Sequence, residues 1–195
     1  MEGRDFAGDK KRRRELKAAL VLEDESGFSL VSPLKRTWAR RGETPTIRTS
    51  ISHHDRLNII GVLLVLPNGK QFKLSLRSYW HSLTGKETIE FLKQLLRCTS
   101  DTIILVWDNH PIHKRKMVEE FLATQERLIV YHFPTAAPEL NPAEYIWAQL
   151  SEYTAGTAPH NRAELQANLR AGIARTRQSQ KRLQSCLLAT HLDWI

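Results

Sequence analysis

The chain has 195 residues, with 29 Lys and Arg against 21 Asp and Glu, a formal charge of +8 and a pI near 9.7. At 41% apolar and 26% charged residues, a disordered tail or collagen-like chain is excluded, and one domain with a sizeable core, or one domain with a short appendage, is expected. The longest apolar stretch, Ile59 to Leu66, is interrupted by Gly61 and falls far short of the ~20 residues that cross a bilayer; the basic start lacks the apolar centre of a secretory signal, so a cytoplasmic protein without membrane contact is expected.

Residues 1–18 form a basic segment with five consecutive cations, Lys10 to Arg14. Next, 19-ALVLEDES-26 reads as a buried strand ending in acids, followed by a loop rich in Arg, Pro and Thr from Pro33 to Arg48. The runs 56-RLNIIGVLLVL-66 and 71-QFKLSL-76 flank 67-PNGK-70, whose Asn-Gly pair predicts an antiparallel hairpin with a type I′ turn. Thr84 with Glu87 forms a capping box before a helix with apolar positions at Ile89, Leu92 and Leu96. A β-branched apolar run, 102-TIILVWDN-109, has the length of a buried strand and closes on an acid. A helix from His113 carries Met117, Val118, Phe121 and Leu122 on one stripe, and 128-LIVYHF-133 is a further strand. Asn141 as N-cap and Pro142 at the first helical position open a helix to about Tyr153. After a linker at 154-TAGTAPHN-161, Asn161 and Glu164 cap the last long helix, with Leu165, Leu169 and Ile173 on its apolar stripe. Cys98 and Cys186, far apart and without a CxxC pair, read as two buried thiols.

The chemistry gathers at three carboxylates. Two predicted strands finish at Asp24 and Asp108, and Glu144 sits in the first turn of a helix entered through a Pro-rich loop. Carboxylates at the ends of apolar strands need a neutralising cation, and converging carboxylate oxygens suit hard divalent ions that bind phosphate. Glu144 also reads as the capping partner of Asn141, and Glu23 and Glu25 should point to the strand face opposite Asp24. His110 and His113 are separated by Pro111, which argues against a paired metal site on one helix; a polar role near substrate phosphate is expected for one of them. Trp107 and Trp147 read as packing residues. The charge balance points to a polyanionic partner: Lys114, Arg115 and Lys116 fall in a first helical turn, where cations are disfavoured unless they meet phosphate, and Lys35, Arg36, Arg40 and Arg41 surround Trp38, a residue that could stack on a base or cover the core.

The blocks 22-LEDESGF-28, 106-VWDNHPIHK-114 and 138-PELNPAEYIWAQL-150 occur in order, with 83 residues between Asp24 and Asp108 and 35 between Asp108 and Glu144. From about Leu20 to Tyr153 the chain resembles the catalytic domain of mariner-superfamily bacterial insertion-sequence transposases. That resemblance implies a ribonuclease-H-like, retroviral-integrase-like α/β fold: a mixed sheet of three antiparallel strands then parallel strands, flanked by helices. It implies a DDE triad of Asp24, Asp108 and Glu144 holding two Mg²⁺ ions, with Mn²⁺ able to substitute. The implied activity is nicking of DNA at transposon ends, followed by attack of the freed 3′-hydroxyl on target DNA, by a homodimer in the active complex. The expected division is a basic segment at 1–18, the catalytic domain at 19–153, and a linker with a basic helical segment at 154–195. Family members carry helix-turn-helix modules ahead of the first catalytic Asp, whereas 23 residues precede Asp24 here. The expectation is therefore a split-frame product with a separately encoded N-terminal DNA-binding polypeptide, a truncated copy, or an isolated catalytic domain. Two other function classes compete: a non-catalytic DNA-binding or oligomerising transposase remnant, and a ribonuclease-H-like nuclease of repair or recombination.

Overall fold

The computed structural model describes residues 13–30, 38–44, 55–135, 137–155 and 157–190, so Lys35 and Arg36 lie outside the described residues. Five strands form one mixed sheet: β1 (Ala19–Ser29), β2 (Arg56–Val65), β3 (Phe72–Tyr79), β4 (Ile103–Trp107) and β5 (Leu128–His132), in the spatial order β3-β2-β1-β4-β5. The first three strands are an antiparallel meander, and β4 and β5 run parallel to β1. Five helices cover the sheet: α1 (Gly85–Cys98), α2 (Lys116–Ala123), α3 (Pro142–Ala155), α4 (Arg162–Arg177) and α5 (Gln180–Leu188). No helix among the described residues is long and apolar enough to cross a membrane.

β1 and β4 are nearly continuous apolar runs because both of their faces are covered. Leu20 and Leu22 join one core with Ile146, Leu150, Leu165, Leu169 and Leu187 of α3, α4 and α5, while Val21, Ile103 and Leu105 join the other with Phe91, Leu92 and Val118 of α1 and α2. The C-terminal helices therefore pack onto the same core as the central strands.

Several local expectations shift. Of the predicted stripe of α1, Leu92 is buried, while Thr88 and Leu95 are buried in place of Ile89 and Leu96, which are only partly buried; the Thr84–Glu87 capping box forms as expected. The hairpin turn is not type I′: Pro67 holds φ negative at the first loop position, Asn68 is not left-handed, and only Gly69 has positive φ, at 68°. The Gly69 N–H donates to the Leu66 carbonyl at 2.9 Å, and the Asn68 side chain accepts from the Lys70 and Gln71 N–H groups. α2 begins at Lys116 with Arg115 as its N-cap, so only Lys116 lies in the first helical turn while Lys114 and Arg115 sit ahead of it. α5 was not anticipated as a separate helix; Ser179 caps it, accepting from the Arg182 N–H. Of the cysteines, Cys186 is buried and Cys98 is exposed.

Gly61 fixes the fit of sheet to helix at one critical place. It pairs with Asp24 on one side and Leu76 on the other. A Cβ there would overlap the Leu76 side chain and come within 2.8 Å of Trp147 Cη2. Gly61→Ala should therefore cost about 1–3 kcal/mol through overpacking. Urea denaturation measures this, and an unchanged midpoint would show that Trp147 moves freely.

Candidate active site

The last parallel pair between β1 and β4 is Leu22↔Val106, and two residues further along each chain stand Asp24 and Asp108. Asp108 leaves the sheet at the carboxyl end of β4, the usual place for a ligand crevice in α/β sheets, whereas β1 does not finish at Asp24 as predicted but runs on to Ser29, with Asp24 still paired to Gly61 of β2. Opposite them, α3 presents Glu144 from its first turn. Asp24, Asp108 and Glu144 line one cavity of about 280 Å³ together with Asn109, His110 and Asn141. Among the described residues, no Lys or Arg lines it. The structure thus brings together the three carboxylates that the sequence singled out.

Each carboxylate is held differently. Asp24 is buried, and the Trp147 indole N–H donates to its Oδ2 at 2.8 Å. Burial, then the nearby Glu144 charge, push its carboxyl up to about 8, against the pull of the Trp147 hydrogen bond. Asp108 is half-exposed; burial works to raise it, but hydrogen bonds from His113 and from the His110 backbone N–H, at 2.7 Å to Oδ1, hold it below the ordinary carboxylate range. Glu144 is raised by burial and by the Asp108 charge. Two of three neighbouring carboxylates therefore resist ionisation, the signature of a site short of positive charge.

The loop into α3 is anchored by Asn141. Its Oδ1 accepts from the Ala143 N–H at 3.1 Å and its Nδ2 donates to the Glu23 carbonyl at 3.1 Å, so the residue that caps α3 also fastens that helix to β1 beside Asp24. Asn141 and Trp147 both do more than local sequence pattern suggests. Trp147 packs, edge to face with Phe28, and also holds Asp24.

A second acidic group lies behind β1. As alternation requires, Glu23 and Glu25 point away from Asp24, and there they meet His113 rather than solvent. His113 Nε2 lies 3.0 Å from Glu25 Oε1 and 3.5 Å from Glu23 Oε2, and its ring stacks on Trp107 at 4.0 Å between centroids. Among the described residues this trio, with ligand atoms within 4.8 Å of one another, is the tightest group of metal-ligand types. Burial disfavours the imidazolium, yet the Asp108 and Glu25 hydrogen bonds and the Glu23 and Glu25 charges push His113 up to about 11. Glu23 is driven well above the usual carboxylate range by burial and by Glu25. His110, by contrast, stays at the cavity rim, with its Nδ1 taken by the Ile112 N–H at 3.4 Å.

The predicted nucleic-acid contacts are dispersed. Lys114, Arg115 and Lys116 are exposed just beyond this turn, with Lys116 3.7 Å from Glu120. Trp38 is 99% exposed, as Arg40 and Arg41 after it are exposed, so it does not cover the core.

Comparison with known proteins adds three findings. A family model described as DDE superfamily endonuclease matches residues 19–166. A search of curated proteins finds no match. Solved structures share the fold: a pre-cleavage Mos1 transpososome (TM-score 0.58, 15% identity, covering 96% of this chain and 60% of that one), the mariner Mos1 paired end complex with Mg (0.55, 16%, 96% and 60%), and the catalytic domain of Mos1 mariner transposase (0.52, 12%, 100% of both). This chain thus spans about three-fifths of the longer Mos1 chains and the whole of the isolated catalytic domain.

Proposed function

This chain belongs to the DDE superfamily endonucleases, and from that premise we propose that Asp24, Asp108 and Glu144 are its catalytic triad, acting in metal-dependent nicking and strand transfer of DNA. The observation that carries this reading is the convergence of three carboxylates, from β1, from the end of β4 and from α3, on one cavity that no Lys or Arg among the described residues lines. Such a set fits a hard divalent cation, Mg²⁺ or Mn²⁺, which would relieve the burial of Asp24. A pair of such ions, when bound, activates an attacking oxygen and stabilises the leaving oxygen of a phosphodiester.

The side chains around the triad supply orientation. Trp147 occupies Oδ2 of Asp24 and leaves Oδ1 for a ligand, while His113 and the His110 N–H occupy Oδ1 of Asp108 and leave Oδ2. Asn141 sets the distance between α3 and β1, hence between Glu144 and Asp24. His110, with Nε2 uncommitted, can donate to a phosphate oxygen.

The charge of +8 and the fold shared with a Mos1 transposase paired-end complex with left transposon end support DNA ends and target DNA as the substrate, and we propose that a pair of chains engages them. Lys114, Arg115, Lys116, Arg40 and Arg41 would contact phosphate and Trp38 would stack on an unpaired base, with Lys35 and Arg36 in the same basic segment. Contacts of this kind are indifferent to sequence. Affinity for unrelated duplexes should fall on the order of 10³-fold between 50 and 200 mM salt if about six phosphates are neutralised. Replacing Lys114, Arg115 and Lys116 by Ala should flatten the log–log salt slope by about two to three. An unchanged slope would remove these residues from the interface.

The decisive assay for the reaction type follows a labelled 3′-end in Mg²⁺ or Mn²⁺. Covalent joining of that end to a second duplex supports a strand transferase. Nicking without joining would make the chain a ribonuclease-H-like nuclease instead.

A further inference from the structure

We propose that His113 is a positioning residue that orients Asp108 from behind β4 and is itself set in place by Glu25 and Glu23 on the face of β1 opposite Asp24. The inference rests on reading Asp108 as a member of the triad. Its support is geometric. The imidazole has no solvent exposure and lies flat against the indole of Trp107, with the planes 3° apart, so its ring plane is fixed. Nδ1 sits 3.2 Å from the Asp108 carbonyl and 3.3 Å from Asp108 Oδ1, and thus touches both the peptide and the side chain of one residue. Nε2 faces Glu25 Oε1 at 3.0 Å, with Glu23 Oε2 at 3.5 Å.

The residues at the far end of the ring make this more than a local turn contact. Glu23 is 1% exposed, and neither of its carboxylate oxygens has a hydrogen bond. A buried carboxylate in that condition is costly, and the imidazole is the group it faces. Because Glu23 and Glu25 flank Asp24 along β1, one ring spans the two strands that carry the cavity aspartates. The arrangement parallels the Trp147 N–H on Asp24: in each aspartate a ring N–H occupies one oxygen and the other oxygen is left for the cavity. Groups that orient ligands in this way typically change metal affinity or activity 10–100-fold when removed.

Two substitutions separate positioning from packing. Asn places its amide nitrogen near the position of Nδ1, whereas Gln reaches toward the position of Nε2. His113→Asn therefore retains a donor to Asp108, and His113→Gln retains one toward Glu25 while losing the bond to Asp108. Both remove the ring from Trp107, so a purely structural role predicts the same defect in each. Positioning predicts that His113→Gln lowers kcat for nicking and the Mn²⁺ affinity of the DNA-free protein, read by electron paramagnetic resonance of the free ion, about 10–100-fold. KM for DNA should be unchanged, and His113→Asn should keep most of both properties. Glu25→Gln should show a smaller loss, and none on top of His113→Gln, because it acts through the ring. If the His113 variants fail to fold, Glu25→Gln carries the test alone, with weakened Mn²⁺ affinity expected. Equal defects in the Asn and Gln variants, or wild-type Mn²⁺ affinity in folded His113→Gln or Glu25→Gln, would overturn the proposal. So would a stoichiometric metal retained after triad substitution and lost with His113→Gln, which would make the trio a metal site. A wild-type protein that binds Mn²⁺ but does not nick DNA would sink the functional reading and leave the Mn²⁺ test of His113 standing.

Discussion

Asp24→Asn, Asp108→Asn and Glu144→Gln should each reduce metal-dependent nicking about a thousandfold or more, equivalent to ~4 kcal/mol in the barrier, with DNA affinity kept or improved by the loss of negative charge. The three should also be strongly non-additive, since each acts through a shared set of ions: a double variant should be scarcely worse than a single one. Folding is expected to survive, and for Asp24 to improve. Asn resembles the protonated acid that burial already favours, and its amide oxygen still accepts from the Trp147 indole. Metal-free Asp24→Asn should therefore melt higher than wild type at pH 8.5. A variant that keeps more than a tenth of wild-type nicking would remove its residue from the triad.

The second large effect is the coupling of metal to protons. The Asp24 carboxyl stands at about 8 in the folded chain against its ordinary 3.8. The folded protein therefore holds a proton that the unfolded chain gives up from about pH 4, so without metal this contribution to stability is complete below pH 4 and is lost as pH rises through about 8. His113 has the same sign, with its contribution lost as pH rises from its ordinary 6.5 through about 11. Asp108, lowered, has the opposite sign and loses its contribution only on acidification. A divalent ion needs ionised Asp24. Binding at pH 7 should then release about one proton per chain, and fewer at pH 9. Calorimetry in buffers of different ionisation enthalpy counts them. Metal at about 100 times its Kd should add about 2.7 kcal/mol, or roughly 5–10 °C in Tm for a chain of this size, and at one fixed metal concentration the shift should be larger at pH 8.5 than at pH 6, where protons compete for Asp24. Asp24→Asn should abolish the proton release. Tight binding at pH 7 with no proton released would contradict the description of Asp24.

How much of this could be read from the sequence depends on the range of each contact. The strand order of the meander, the capping box at Thr84, the Asn161 cap and the placing of Asp108 at a strand end follow from patterns a few residues long, whereas the run of β1 past Asp24 to Ser29 does not. The three blocks, taken together, also pointed to the cavity that Asp24, Asp108 and Glu144 now share. What escaped is non-local. The Trp147 bond to Asp24 spans 123 residues, the Asn141 bond to Glu23 spans 118, and the His113 bond to Glu25 spans 88. Local pattern supports only an apolar reading of Trp147 and, for His110 or His113, a polar role near phosphate, not the buried contact of His113 with Glu25 and Glu23. Alternation along β1 did place Glu23 and Glu25 on the far face, and a buried Glu there was the available sign that a cationic partner must wait behind the strand. The phase error in α1 has a simpler cause: Thr88, Phe91 and Leu95 face the sheet, while Ile89 and Leu96 are partly exposed at the edge of the stripe, which hydrophobicity alone does not distinguish.

The central claim is that three carboxylates gathered around one cavity cut DNA only with a divalent cation. Its most direct test is nicking of supercoiled plasmid by the purified chain in Mg²⁺ or Mn²⁺, against a chelator control and Glu144→Gln prepared in parallel. The account predicts conversion to nicked circles in metal alone, none with chelator and at most a trace with Glu144→Gln. Equal nicking in chelator, or nicking undiminished in Glu144→Gln, would contradict it.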